Sequence, residues 1–244
     1  MPTAIEVTNV NKQFVLRHTR SIKEAFIWLI KGRKGDLSEK FHALRDVCLE
    51  VRQGETVALL GFNGSGKSTL LKHISGVMLP DSGSVRTRGR VAGLIEVGAG
   101  FHQDLSGREN VYLNGAILGM TEAQINNRFA SIVDFAEIGH FIDTEVKFYS
   151  SGMYLRLAFA VAVHTDPDVF LVDEILAVGD EPFQKKCILK IKELAAAGKT
   201  LVVVSHDLDV VAKICERGVL LDHGSVTFDG SIDDAVARLR SAAV

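Results

Sequence analysis

Four short runs along the chain are apolar at nearly every position instead of every second one: ETVALLG at 55–61, DVFLVDE at 168–174, TLVVVSH at 200–206 and GVLLDHG at 218–224. Strands of this kind are buried on both faces, the mark of a parallel sheet covered by helices on each side. Helical patterns at 68–76 and 184–197 lie between them, so the reading is α/β. The stretch 102–164 differs. It contains RENVYLNGAILGM and TEAQINNRFASIVDFAEI, is helical in pattern without a convincing strand, and predicts a helical subdomain inserted in the α/β core. Within it, FYSSGMYLRLAFAVA at 148–162 places two serines and a glycine just before an apolar helix. Such a start is either a cap or an anion site, because a helix N-terminus presents unpaired N–H groups and positive partial charge.

A second helical pattern lies nearer the start of the chain. In SIKEAFIWLIKGRK, residues 21–34, Ile22, Ala25, Phe26, Leu29 and Ile30 share one face, which Ile27 and Trp28 widen. Arg17, Arg20, Lys23, Lys31, Arg33 and Lys34 surround it. The stripe suits either a membrane interface, where Trp and basic residues meet headgroups, or packing on the chain's own sheet.

Composition narrows the classes. With 244 residues, 47% hydrophobic, the chain can bury a sizeable core, and its net charge of −2 lacks the basic footprint of a nucleic-acid binder. No apolar run approaches the ~20 residues of a membrane span, and MPTAIEVTNV lacks the regions of a signal peptide, so a cytoplasmic location is expected. Cys48, Cys187 and Cys215 are isolated, which argues against a disulfide framework or a zinc site.

The sharpest chemical signal is GFNGSGKST, where Gly61, Gly66, Lys67 and Ser68 satisfy the G-x-x-x-x-G-K-[ST] phosphate-loop pattern between a strand and a helix. Glycines let the backbone wrap phosphates. The N–H groups from Asn63 to Thr69, through Gly64, Ser65 and Gly66, would donate to them. Lys67 would neutralise the β and γ oxygens, and Ser68 would hold Mg²⁺. DVFLVDE then supplies Asp173 as a metal partner and Glu174 as a general base for water, while His206 ends TLVVVSH at the edge where open α/β sheets bind ligands.

In this order the motifs resemble the nucleotide-binding subunit of ATP-binding cassette (ABC) transporters over nearly the whole chain. The resemblance implies a phosphate-loop ATPase core with an antiparallel β edge, a single domain over 1–244, and ATP with Mg²⁺. It places a helical insert at 15–41 and the inserted helical subdomain at about 102–164. It maps the family's signature onto Tyr149, Ser150, Ser151, Gly152 and Met153, a departure at three of five positions. Ser150 and the Gly152 N–H would then touch the γ-phosphate held by the other copy of a head-to-tail homodimer. Asp180, in LAVGD, matches the loop between the two copies. The coupling-loop position falls on Glu96, also a metal candidate, or on Gln103. The adenine-stacking aromatic falls on Phe14, with Phe41 and His42 as alternatives, and Phe62 belongs to the loop.

YSSGMYLRLAFAVA, EVGAGFHQDLSGRENVYLNGAILGM and DEILAVGDEPFQKKC are similar to the ATPase subunits of bacterial polysaccharide exporters for O-antigen, teichoic acid or galactan. That similarity implies a separate transmembrane permease in two copies, a lipid-linked polysaccharide as cargo, and a peripheral place on the cytoplasmic face of the plasma membrane. The chain stops soon after VTFDG, which leaves no room for the C-terminal glycan-binding domain of many O-antigen members. A soluble ABC ATPase acting on ribosomes or DNA is the alternative, and the sequence has neither two cassettes nor the long coiled coil that class tends to carry.

Overall fold

A computed structural model describes residues 2–17, 38–93, 98, 100–173, 179–205 and 207–242. Strands β3 (Thr56–Leu60), β5 (Val91–Gly93), β6 (Val169–Asp173), β7 (Thr200–Val204), β8 (Arg217–Asp222) and β9 (Ser225–Ser231) form one sheet in the order β5-β6-β7-β3-β8-β9. All neighbours are parallel except the β8–β9 hairpin. Strands β1 (Thr3–Arg17), β2 (Ser38–Arg52) and β4 (Ser82–Thr87) form a second, antiparallel sheet in the order β2-β1-β4.

The two-sided apolar runs now have a cause. On β3, Ala58 and Leu60 face a core built with Phe159, Phe183, Cys187, Ile191 and Val211, whereas Val57 and Leu59 face the antiparallel sheet and Leu70, Leu71 and Ile74. Phe170 and Val172 alternate with Val169 and Leu171 on β6 in the same way. A strand sandwiched between two cores loses its polar face.

The helices are α1 (Lys67–Ile74), α2 (Gly107–Ile117), α3 (Glu122–Ala136), α4 (Ser151–Val163), α5 (Glu181–Ala196), α6 (Leu208–Ile214) and α7 (Ile232–Ala242). Capping boxes start α2 at Ser106 and α3 at Thr121. Together with α4 they bury a third core containing Val111, Ile125, Ile132, Leu157 and Val161. α4 is apolar almost all round because Phe159, Ala162 and Val163 point instead into the core under the parallel sheet. Between 102 and 164 the only β feature among the described residues is an isolated bridge, Ser106 to Glu145.

The helical insert was expected over 15–41, yet strand occupies both ends of that range. β1 runs to Arg17 and β2 resumes at Ser38, with Phe14 opposite Phe41 and Val15 opposite Lys40. Hydrogen-bonded pairing therefore carries the ladder past the expected helical boundary, and residues 18–37, with the amphipathic stretch, lie outside the described residues. Among the described residues no helix is long and apolar enough to cross a membrane.

The cysteines differ in surroundings. Burial pushes the Cys187 and Cys215 thiols up to about 12, whereas Cys48 is exposed. Since the thiolate is the reactive form, a maleimide at neutral pH should label one thiol per native chain and three after unfolding. Thiol counting by mass checks it.

Candidate nucleotide-binding site

The phosphate loop leaves β3 at its carboxyl end and enters α1, a path that only glycine permits at two points. Gly61 (φ 147°) would bring a Cβ within 2.2 Å of the Leu221 carbonyl, and Gly66 (φ 107°) within 2.6 Å of the Ala43 carbonyl. Both combine a left-handed conformation with close backbone approach. Gly66 is also the N-cap of α1 and offers no side-chain cap, in contrast to the serine and threonine that start α2, α3 and α4. A helix start without a side-chain cap suits anion binding by backbone amides.

Lys67 occupies the centre of this loop. The residue is 7% exposed, and its ammonium donates to the Gly61 carbonyl at 2.8 Å and the Phe62 carbonyl at 3.0 Å. The Ser65 side chain is buried and its Oγ finds no hydrogen-bond partner. A bare helix start, a central cation and an orphaned hydroxyl fit a polyphosphate. Asn63, Gly64, Ser68, Thr69 and Phe41 line a groove of about 170 Å³ beside Lys67.

Because β3, β6 and β7 run parallel side by side, their carboxyl ends reach one edge. That edge brings Gly61, Asp173 and Ser205 together, with Asp173 opposite Val204. Glu174 and His206 follow Asp173 and Ser205 directly in the chain, and with Glu96 they lie outside the described residues. The Ser68 hydroxyl and the Asp173 carboxylate are hard oxygen donors, and the described residues hold no group of three or more acidic, His or Cys residues placed to hold a metal ion. One or two protein oxygens of this kind suit Mg²⁺, which takes its remaining ligands from phosphates and water.

The aromatic candidates sit together. Phe14 and Phe41 face each other across β1 and β2 and are 36% and 45% exposed, and His42 pairs with Gln13. Phe41 lines the groove beside the phosphate loop, whereas Phe14 lies near the Lys12 ammonium, 5.9 Å from its ring centroid. Gln103 lies in the turn after the coupling stretch, where its carbonyl accepts from the Lys147 amide at 2.9 Å.

A second concave surface, of about 420 Å³, is lined by Ser150, Gly152, Met153, Arg156, Gly179 and Asp180. Ser150 Oγ accepts from the Met153 amide at 3.2 Å and so caps α4. The cap accounts for Ser150 but not for Gly152, where an added Cβ would meet nothing nearer than Ser150 Oγ at 3.8 Å. Ser151 is exposed beside it. Asp180 is the N-cap of α5, yet its carboxylate bonds Arg156 of α4 and not its own helix start. Desolvation opposes its ionisation, but the Arg156 hydrogen bond holds the carboxyl below its usual range. Arg156 also bonds Glu137 at 3.1 Å and stacks over Phe183 at 4.8 Å. Sequence reasoning missed Arg156, although one cation inside the apolar run YLRLAFAVA was a signal.

The chain is similar to known proteins of one family. A family model described as ABC transporter matches residues 44–177. The ABC transporter protein AbcA of Aeromonas salmonicida is 49% identical, over 93% of this chain and 72% of that protein. The O-antigen export system ATP-binding protein RfbB of Klebsiella pneumoniae is 40% identical over 99% of each. Among solved structures, a dimeric ATP-binding cassette in a post-hydrolysis state, bound to ADP and Pi, superimposes with a TM-score of 0.74 at 25% identity, covering 93% of this chain and 98% of that one. The family model spans more than half of the chain and the similarity runs end to end: the chain belongs to the ABC transporter family.

Proposed function

We propose that this chain is the ATP-hydrolysing subunit of an exporter that moves a lipid-linked polysaccharide through a separate transmembrane permease, working as a homodimer on the cytoplasmic face of the plasma membrane. The observation that carries this reading is the end-to-end similarity to an O-antigen export ATPase subunit. The near-neutral charge speaks against nucleic acid as a partner.

In this reading each site is shared between two copies. Lys67 and the amides from Asn63 to Thr69 hold the β and γ phosphates of ATP, and Phe41 or Phe14 takes the adenine face. Ser68 and Asp173, with Glu96 as a further candidate, hold Mg²⁺, which when bound neutralises charge on the phosphate oxygens. Glu174 takes a proton from water as the water oxygen bonds the γ-phosphorus and the bond to the bridging oxygen breaks, giving ADP and phosphate. His206 donates to the γ-phosphate as charge develops. The partner copy contributes Ser150 and the Gly152 N–H, with Asp180 at the boundary. The amphipathic stretch 21–34 is assigned to contact with the permease or lipid.

Ser150→Arg tests the shared site. The exposed position tolerates the side chain in one copy, but a bulky cation stands where the partner's phosphate docks. Nucleotide binding by the single subunit should stay within twofold, while steady-state ATPase falls at least about tenfold and surface polysaccharide is lost from cells carrying only this variant. Normal hydrolysis would sink the shared site. Normal surface polysaccharide in cells lacking the subunit altogether would sink the export reading.

A further inference from the structure

Tyr154 does more than fill space on α4. Its backbone N–H donates to the Ser150 carbonyl at 3.0 Å, closing the first turn of the helix, while its hydroxyl donates to the Gly98 carbonyl at 2.6 Å. The same carbonyl accepts from the Phe101 amide at 2.8 Å, so one oxygen ties a turn in the chain leaving β5 to the helix that begins at Ser150. The Phe101 ring meets Tyr154 edge-on, with centroids 5.1 Å apart.

The fit is close enough to dictate the residue at the other side. Gly98 is buried at φ 82°, and a Cβ there would lie 2.3 Å from the Tyr154 ring and 2.4 Å from its hydroxyl. Backbone conformation and the ring both exclude a side chain. Downstream of the turn, Asn110 is fully buried, accepts from the His102 amide at 2.7 Å and donates to the His102, Leu105 and Ser106 carbonyls. Gly98 is thus held by α4, and His102, Leu105 and Ser106 by α2. Burial raises the Tyr154 hydroxyl above its ordinary range, so it stays a donor at neutral pH.

We infer that Tyr154 is a positioning residue: by binding the Gly98 carbonyl it fixes the Ser150 end of α4 against the chain leaving β5, and so sets the surface that one subunit offers to the nucleotide of its partner. The inference rests on the shared-site reading above. Tyr154 lines neither the phosphate-loop groove nor the concave surface around Ser150, and it acts through the placing of Ser150 and Gly152. Its loss should affect association of two nucleotide-loaded copies while leaving nucleotide capture by one copy unchanged.

The test uses the full chain carrying Glu174→Gln, a parent intended to bind ATP without cutting it, with and without Tyr154→Phe. Phenylalanine keeps the ring and deletes one hydrogen bond per subunit. The dimer dissociation constant with ATP and Mg²⁺, from analytical ultracentrifugation, should rise roughly tenfold, about the contribution of one neutral hydrogen bond in each copy when docking requires the Ser150 end to be held in place. Affinity of the monomer for a fluorescent ATP analogue should stay within twofold. Gly98→Ala, which displaces the ring, should reproduce the dimer defect. A dimer constant within twofold of the parent overturns the inference, as does a matching loss of monomer nucleotide affinity or a Tyr154→Phe chain that fails to fold. A parent that never dimerises with ATP overturns the shared site itself. A parent that dimerises beside an unaffected Tyr154→Phe overturns only the role of Tyr154.

Discussion

Lys67→Ala should leave a folded chain that has lost ATP. The Lys67 ammonium is held at 2.8 and 3.0 Å by two loop carbonyls, so the loop already surrounds a positive charge at the position where phosphates would arrive. Charge-assisted hydrogen bonds of this kind contribute roughly 1.5–3 kcal/mol each, and losing two to the phosphates weakens binding about 100-fold or more. The structural cost is smaller, because Phe62 is exposed and Gly61 half-exposed, and water can replace the ammonium at their carbonyls. Isothermal titration with ATP and Mg²⁺ should show the loss beside a melting temperature changed by only a few degrees. Lys67→Arg should fail almost as badly, since a planar fork does not fit a space that leaves the lysine 7% exposed. Affinity within threefold of the parent in Lys67→Ala would remove this residue from the site.

The parts of the fold legible in the sequence are those whose burial is decided locally. The all-apolar runs of β3, β6 and β7 could be read because each strand is enclosed by two cores, and the phosphate loop because its residue types recur within nine residues, although the Leu221 and Ala43 carbonyls that crowd its glycines come from elsewhere in the chain. The antiparallel sheet was less legible. β1 carries one buried face with register shifts at Val7/Val10, Val10/Lys12 and Lys12/Gln13, and such bulges break the alternation that marks a strand. Chain position pointed to Phe14, and pairing places Phe41 directly across from it, where it lines the same groove as Asn63 and Lys67. Arg156, marked in the sequence only as a cation in an apolar run, and Tyr154 could not be given partners there for another reason. Their partners Asp180, Glu137 and Gly98 are 24, 19 and 56 residues away, so only the folded chain identifies them.

Glu174→Gln should separate binding from turnover more sharply than any other single change. The strand before it is buried through Val172 and half-exposed at Asp173, so the chain emerges at the edge it shares with the phosphate loop. Another carboxylate near that edge, Asp207, is committed elsewhere: its oxygen accepts from the Asp209 amide at 3.1 Å and the Val210 amide at 3.0 Å as the cap of α6. Asp173, by its oxygen donors and place, suits the metal, and this leaves Glu174 to take the proton from water. Glutamine keeps the length and polarity of the side chain but has no basic oxygen to accept that proton. General-base catalysis contributes typically 10²–10⁴-fold, so single-turnover hydrolysis should slow by about that factor while ATP affinity stays within threefold. With hydrolysis blocked, ATP and Mg²⁺ should hold two copies together as a dimer stable to gel filtration, and EDTA should release it. Hydrolysis within threefold of the parent would show that the base lies elsewhere, and a matching fall in ATP affinity would show that Glu174 serves binding instead.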